Sequence, residues 1–153
     1  MASDLLYKLK SRVEQFQDNI ISDVRDIVIE NKALIIDMNA ENQLYEQGVN
    51  NLGVNISDYM PYTDATVEFK KMKGQPYNRV TLRDEGDFHS SFYIDARETE
   101  FELKASDWKT EKLTKKYGRQ ILGLTDENKS ELTWSYVFPG ILKKGKTLIY
   151  GKK

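Results

Sequence analysis

Two stretches of the 153-residue chain hold side chains of the types that do chemistry. Gly140 to Thr147, GILKKGKT, satisfies the pattern GxxxxGK[ST], in which backbone N–H groups cradle phosphates, a lysine reaches the terminal phosphates and the hydroxyl binds magnesium. Such a loop must follow a buried strand and open a helix whose N-terminus faces the anion. Only six residues follow Thr147, with no downstream strand to supply a metal-binding aspartate. Nucleotide binding is therefore the third of three functional readings. The second stretch surrounds the single histidine, His89, which stands in GDFHSS with Asp84 and Asp87 before it and Ser90 and Ser91 after. A Ser-His-Asp relay needs groups converging from separate parts of a fold beside an oxyanion site, and adjacency in sequence is not that geometry. The same residues lack the spacing of a metal site, so they read as a polar turn or short helix. Glu100 and Glu102 share one face of a predicted strand, but it is the wet face. With no cysteine in the chain, thiol catalysis, thiolate metal sites and disulfides are excluded together. The residues point to no catalytic site, metal or cofactor.

The elements that would position these residues follow from periodicity. Phe101, Leu103 and Ala105 alternate with Glu100, Glu102 and Lys104, the period of a half-buried strand. Phe92, Ile94 and Ala96 share one parity, and the link Arg97-Glu98-Thr99 lets the two segments pair as an antiparallel hairpin. Ser106 and Asp107 cap a helix through Trp108, Leu113 and Tyr117 that stops at Gly118, and Thr125 caps another with Asp126 and Glu127 in its first turn. Upstream, Leu6, Leu9, Val13, Phe16, Ile20, Val24 and Ile27 recur at intervals of three and four. They predict a helix from a Ser3 cap through Asn31, about 40 Å long at 1.5 Å per residue. Part of its stripe either folds back along the sheet or packs on a neighbouring subunit. Ala33 to Met38 is assigned as strand or extended, with Asn39 capping a short helix over 40–47 that ends at Gly48. Residues 48–62 read as a loop, and Thr63 caps a helix through Ala65, Phe69 and Met72 to Gly74. Leu132 and Tyr136 continue the last helix until Pro139 interrupts it, leaving residues 139–153 as a basic tail with Lys143, Lys144, Lys146, Lys152 and Lys153. The fold expectation is α+β: a single domain over 1–138 with a helical arm at 3–31, a small antiparallel sheet built on 79–105, and helices on one face of it.

Composition bounds the partners. With 23 basic and 24 acidic side chains the net charge is -1, which gives no global pull toward nucleic acid or anionic lipid. No apolar run has the length of a membrane span, and Met1-Ala2-Ser3-Asp4 lacks the charged and apolar opening of a secretion signal. Nine tyrosines are present, with Tyr45, Tyr59, Tyr62 and Tyr77 in or beside predicted loops, where large amphipathic rings suit interfaces. Interleaved with Lys70, Lys71, Lys73, Arg79 and Arg83, they also fit the second reading, a nucleic-acid-binding accessory protein with stacking rings in a basic groove.

The succession RDEGDFHSSF, hairpin, KKYG and ILGLTDEN, preceded by NQLYEQGVNN over 42–51 and by Tyr59 and Thr63, resembles the tailed-bacteriophage virion-morphogenesis proteins of the neck. These are the tail-completion, or head-to-tail joining, group. Glu85-Gly86 stands where Thr-Gly is usual in that family, and residues 121–126 stand for its last block. The resemblance covers roughly 39–132. It implies a non-enzymatic virion component, assembled in the host cytoplasm as a homo-oligomeric ring between the portal or adaptor side of the capsid and the tail or collar proteins. In that setting Phe16, Ile20 and the four loop tyrosines are the interface residues, and the basic tail touches a neighbour or packaged DNA, with no membrane involved.

Overall fold

The chain alternates long helical segments with one hairpin, and a computed structural model describes residues 1–151. Helix α1 (Ala2–Glu30) holds 29 residues and is followed, after Asn31 alone, by α2 (Lys32–Asp37), which runs into a π-helical segment, Met38–Gln47. Short helices α3 (Ile56–Tyr59), α4 (Asp64–Met72) and α5 (Asp87–Ser90) precede the strands β1 (Phe92–Ala96) and β2 (Phe101–Ala105). Helix α6 (Thr110–Tyr117), a 3-10 turn (Arg119–Ile121), α7 (Asp126–Leu132), a second π-helical turn (Thr133–Val137) and α8 (Phe138–Tyr150) complete it. The strands form one two-stranded antiparallel sheet, so the fold is α+β with a long N-terminal helix.

Local chemistry explains most boundaries. Thr63 Oγ1 accepts from Thr66 N, Asn55 from Ser57 N, and Thr125 Oγ1 from Asn128 N, each meeting a helix-start donor that would otherwise be orphaned. Asp107 accepts from Lys109 N and turns the chain, so α6 begins at Thr110 and Trp108 stays outside it, exposed. The hairpin closes through Arg97 N on the Glu100 carbonyl. Gly48 ends the first π segment with φ +69 and ψ 30, and a Cβ there would sit 3.0 Å from Arg79 Cβ. Gly48→Ala is therefore expected to lower stability by about 1–2 kcal/mol, the cost of a left-handed residue carrying a Cβ, read as an earlier urea midpoint at unchanged slope.

Three sequence expectations are corrected. The α1 cap is Met1, not Ser3, and it makes no side-chain bond. Residues 33–38 are helical rather than extended. Ile35 and Met38 continue one buried face with Ala40 and Leu44, and Asn39 is not a cap because its side chain is drawn to a distant loop. Finally, Pro139 does not end the helix. The π-wound turn before it shifts the hydrogen-bond register, and Pro139 falls in the first turn of α8, where no N–H is needed. Residues 139–150 are thus helix instead of tail, while Lys152 and Lys153 lie outside the described residues.

The chain separates into two compact units. The first comprises residues 1–31, 96–101 and 131–151. There α8 lies along α1: a Cβ at Gly140 would fall 2.7 Å from Ile27 Cδ1, and one at Gly145 would fall 3.0 Å from the Phe16 ring. Glycine at those places lets the helix backbones approach closely. Lys144 reaches Asp23 at 3.3 Å and Asp26 at 3.9 Å, and Arg12 donates to the Ile149 carbonyl at 2.8 Å. The second unit comprises residues 32–95 and 102–130, with a core of Ile35, Leu44, Ile56, Val80 and Ile121.

Candidate functional site

Within the second unit the sequence blocks that are far apart along the chain are knotted together by buried amides. Gln43 is fully buried; its Nε2 donates to the Gly123 carbonyl at 2.9 Å, and its Oε1 accepts from Thr125 N at 2.9 Å and Asn128 Nδ2 at 2.7 Å. Asn39 Nδ2 donates to the Ile121 carbonyl at 3.2 Å, and Asn51 Nδ2 to the Leu122 carbonyl at 3.2 Å. The backbone of ILGLTDEN is thereby held by side chains of the first π segment and of the loop after it. In a segment with i→i+5 bonding, residues four and five apart share a side, which places Asn39 and Gln43 together facing that loop.

A second cluster grips residues 79–83, which alternate like a strand yet join no sheet. Side chains supply the missing ladder. Ser57 Oγ accepts from Val80 N at 3.2 Å, and Tyr62 Oη accepts from Thr81 N at 3.0 Å. His89 Nε2 lies 2.9 Å from the Thr81 carbonyl, and Lys70 Nζ donates to the Arg83 carbonyl at 2.7 Å. Between the gripped residues Leu82 adopts φ 54, a left-handed conformation costly for a branched side chain. His89 is buried, and burial drives its pKa down from 6.5 to about 4. A carbonyl only accepts, so Nε2 carries the proton, and Nδ1 has no partner. His89 is thus a neutral brace inside helix α5 rather than an acid-base group.

The tyrosines of the sequence expectation divide by function. Tyr59 Oη donates to the Tyr117 carbonyl at 2.9 Å, and Tyr62 is part of the grip on Thr81. Tyr45 lies under Arg83, 4.6 Å from ring centroid to guanidinium, and Tyr77 under Lys71 at 5.2 Å. The cations beside them are engaged too: Arg83 with Glu41 at 2.9 Å, Lys71 with Glu68 at 2.7 Å and Lys73 with Asp84 at 2.7 Å. The Lys73 hydrogen bond holds the Asp84 carboxyl below its usual range. A stacking platform for single-stranded nucleic acid wants open ring faces in an uncompensated basic groove; here Tyr59 and Tyr77 keep 43% and 48% exposure while Lys71, Lys73 and Arg83 each face a carboxylate. GILKKGKT is wound into α8, where Thr147 Oγ1 donates to the Lys143 carbonyl at 3.0 Å. That is not the geometry of a phosphate-cradling loop.

No protein-family model, curated protein or solved structure matches this chain. What the molecule offers a partner must therefore be read from its surface. Among the described residues no group of three or more His, Asp or Glu converges as a metal site, and no helix is long and apolar enough to cross a membrane. The first unit exposes apolar side chains along α1. Leu6 is 65% exposed, Leu9 42%, and Val13 and Ile20 also face outward. Phe16, the other α1 residue expected at an interface, is half-buried and lies over Gly145. Sequence reasoning missed a second apolar stripe on the supposed tail: Trp134 is 66% exposed, Phe138 47% and Leu142 44%. The four-residue spacing of those three was the signal, hidden by reading Pro139 as a helix end.

Proposed function

We propose that the chain is a structural virion protein of a tailed phage, one copy of a ring in the neck or head-to-tail connector, and that it acts by packing against other protein surfaces. The observation that carries the reading is the apolar stripe of α1, which leaves Leu6, Leu9, Val13 and Ile20 facing outward on a helix of 29 residues. Exposed apolar surface at helical spacing is the ordinary mark of a protein-protein contact, and a rotational array repeats one contact until it closes. The sequence resemblance to tail-completion proteins supplies the setting: a ring between the portal side of the capsid and the tail, assembled in the host cytoplasm. Support also comes from the knot of buried amides, which holds the blocks carrying that resemblance as rigid structure rather than as reactive groups.

Negative-stain imaging of the purified chain, together with immunogold labelling of virions carrying a tagged copy, tests the proposal. Closed rings in solution and label at the head-tail junction are expected. A monomer by light scattering, or label absent from virions, would overturn it. Retention of the isolated protein on DNA in low salt, lost as salt rises, would favour instead a nucleic-acid role for Lys143 and Lys146 on α8.

A further inference from the structure

We infer that the face of α6 carrying Lys112, Lys115 and Lys116, with Trp108 before it and Arg119 after it, binds single-stranded nucleic acid. The surface belongs to the second unit, so it stands apart from the self-association just proposed for the first. Helix α6 turns the half-buried Leu113 and the buried Tyr117 inward, which sends Lys112, Lys115 and Lys116 outward, all exposed. From Lys109 to Arg119 the chain holds five cations against one acid, Glu111, although its net charge is -1. Lys109 faces Asp87 at 3.8 Å. Among the described residues no carboxylate pairs with Lys112, Lys115, Lys116 or Arg119, in contrast to Lys71, Lys73 and Arg83. Like charges crowded on one short helix repel one another, and a polyanion neutralises them together.

Two rings flank these lysines. Trp108 is 82% exposed in the turn that Asp107 makes before α6, with Lys109 Nζ over its ring at 5.6 Å. The partly exposed Tyr59 is tied to the other end of the helix, its hydroxyl donating to the Tyr117 carbonyl at 2.9 Å. An indole left in water beside cations is what base stacking uses, and stacking tolerates any sequence because every base has a flat face. A polyanion whose repeats each carry such a ring engages both the lysines and Trp108. An acidic peptide engages the lysines alone. An anionic membrane finds no apolar stripe to take up, because the inward side of α6 is spent on the core of its own unit. Helix α6 is about 12 Å long at 1.5 Å per residue, so the site takes only a few nucleotides.

Fluorescein-labelled oligo(dT) of about 12 nucleotides, within the site sizes of single-strand binders, titrated with the whole chain over a salt series tests the inference by anisotropy. Binding at low salt is expected, with log K falling against log salt at a slope of about -3 for four neutralised phosphates, at roughly 0.7 each on a single strand. Lys112→Ala combined with Lys115→Ala, both at exposed positions and favourable to the helix, should about halve that slope at unchanged circular dichroism. Trp108→Ala should weaken binding about tenfold or more, the worth of one stacked base, at unchanged slope. In a Trp134→Phe background Trp108 is the one tryptophan left, and saturating oligo(dT) should quench its emission. No binding at low salt, an unchanged slope in the lysine variant, or no quenching overturns the inference. Loss of binding through Lys143→Ala with Lys146→Ala instead of the α6 pair overturns it as well, as does equal competition by oligo-glutamate or by anionic lipid vesicles. Closed rings indifferent to oligo(dT) would leave the connector reading standing and sink this one, whereas a monomer that binds it through α6 would do the reverse.

Discussion

Gln43→Leu is expected to destabilise the protein by about 4 kcal/mol, because it leaves two buried backbone groups orphaned at about 1–3 kcal/mol each and slackens a third partner. The side chains are of similar size, so cavity formation contributes little. The loss comes from the Gly123 carbonyl and the Thr125 amide, which the Gln43 carboxamide satisfies at 2.9 Å each. Asn128 loses its 2.7 Å contact but keeps longer ones to the Met38 carbonyl and Asn42. Adding Asn128→Leu should therefore cost less than the sum of the two single changes, the sign of a shared network. Urea denaturation followed by far-ultraviolet circular dichroism measures both effects. A Gln43→Leu loss below about 1 kcal/mol, within the range of an ordinary surface change, would show that the loop is held by something other than these amides.

That network also marks where sequence reading succeeds and where it stops. The hairpin, the Thr63 and Thr125 caps and the Gly48 stop are local devices, each decided by residues within a turn of one another, and each appears as expected. Asn39 fails as a cap for the opposite reason: its partner is 82 residues away, so no local pattern distinguishes a capping amide from one recruited by a distant carbonyl. Residues 79–83 alternate as a strand should, yet their partners are the Ser57, Tyr62, His89 and Lys70 side chains instead of another strand. The burial of His89 depends on that arrangement and has no signature in GDFHSS. Pro139 misleads because the rule against proline in helices assumes i→i+4 bonding, and the π-wound turn before it suspends that assumption. With the helix taken to end there, the stripe through Trp134, Phe138 and Leu142 drops out of view, although its spacing is plain.

Acidification is expected to reveal His89 as a structural group. Its pKa in the folded state is about 4, below the 6.5 of an unperturbed imidazole, first through burial and then through the nearby Arg83 charge. The Thr81 carbonyl and the Glu41 carboxylate oppose that shift. Above pH 6.5 neither folded nor unfolded chain holds the proton, and His89 adds no pH dependence. Between 6.5 and about 4 the unfolded chain takes up a proton that the folded chain refuses, so stability falls as pH falls. At 1.36 kcal/mol per pKa unit the full loss is about 3 kcal/mol, complete once pH drops through about 4. Protonating Nδ1 would place a charged donor where no acceptor faces it. Asp84, whose carboxyl is held below 3.8 by Lys73, contributes its stabilisation in full above that value and loses it as pH falls further, below the range over which His89 acts. His89→Leu should be weaker than wild type at pH 7, because the Thr81 carbonyl loses its donor, yet its urea midpoint should stay nearly flat from pH 7 to 4.5 while that of wild type declines. Parallel declines in the two proteins would assign the acid sensitivity to other groups and remove His89 from the account.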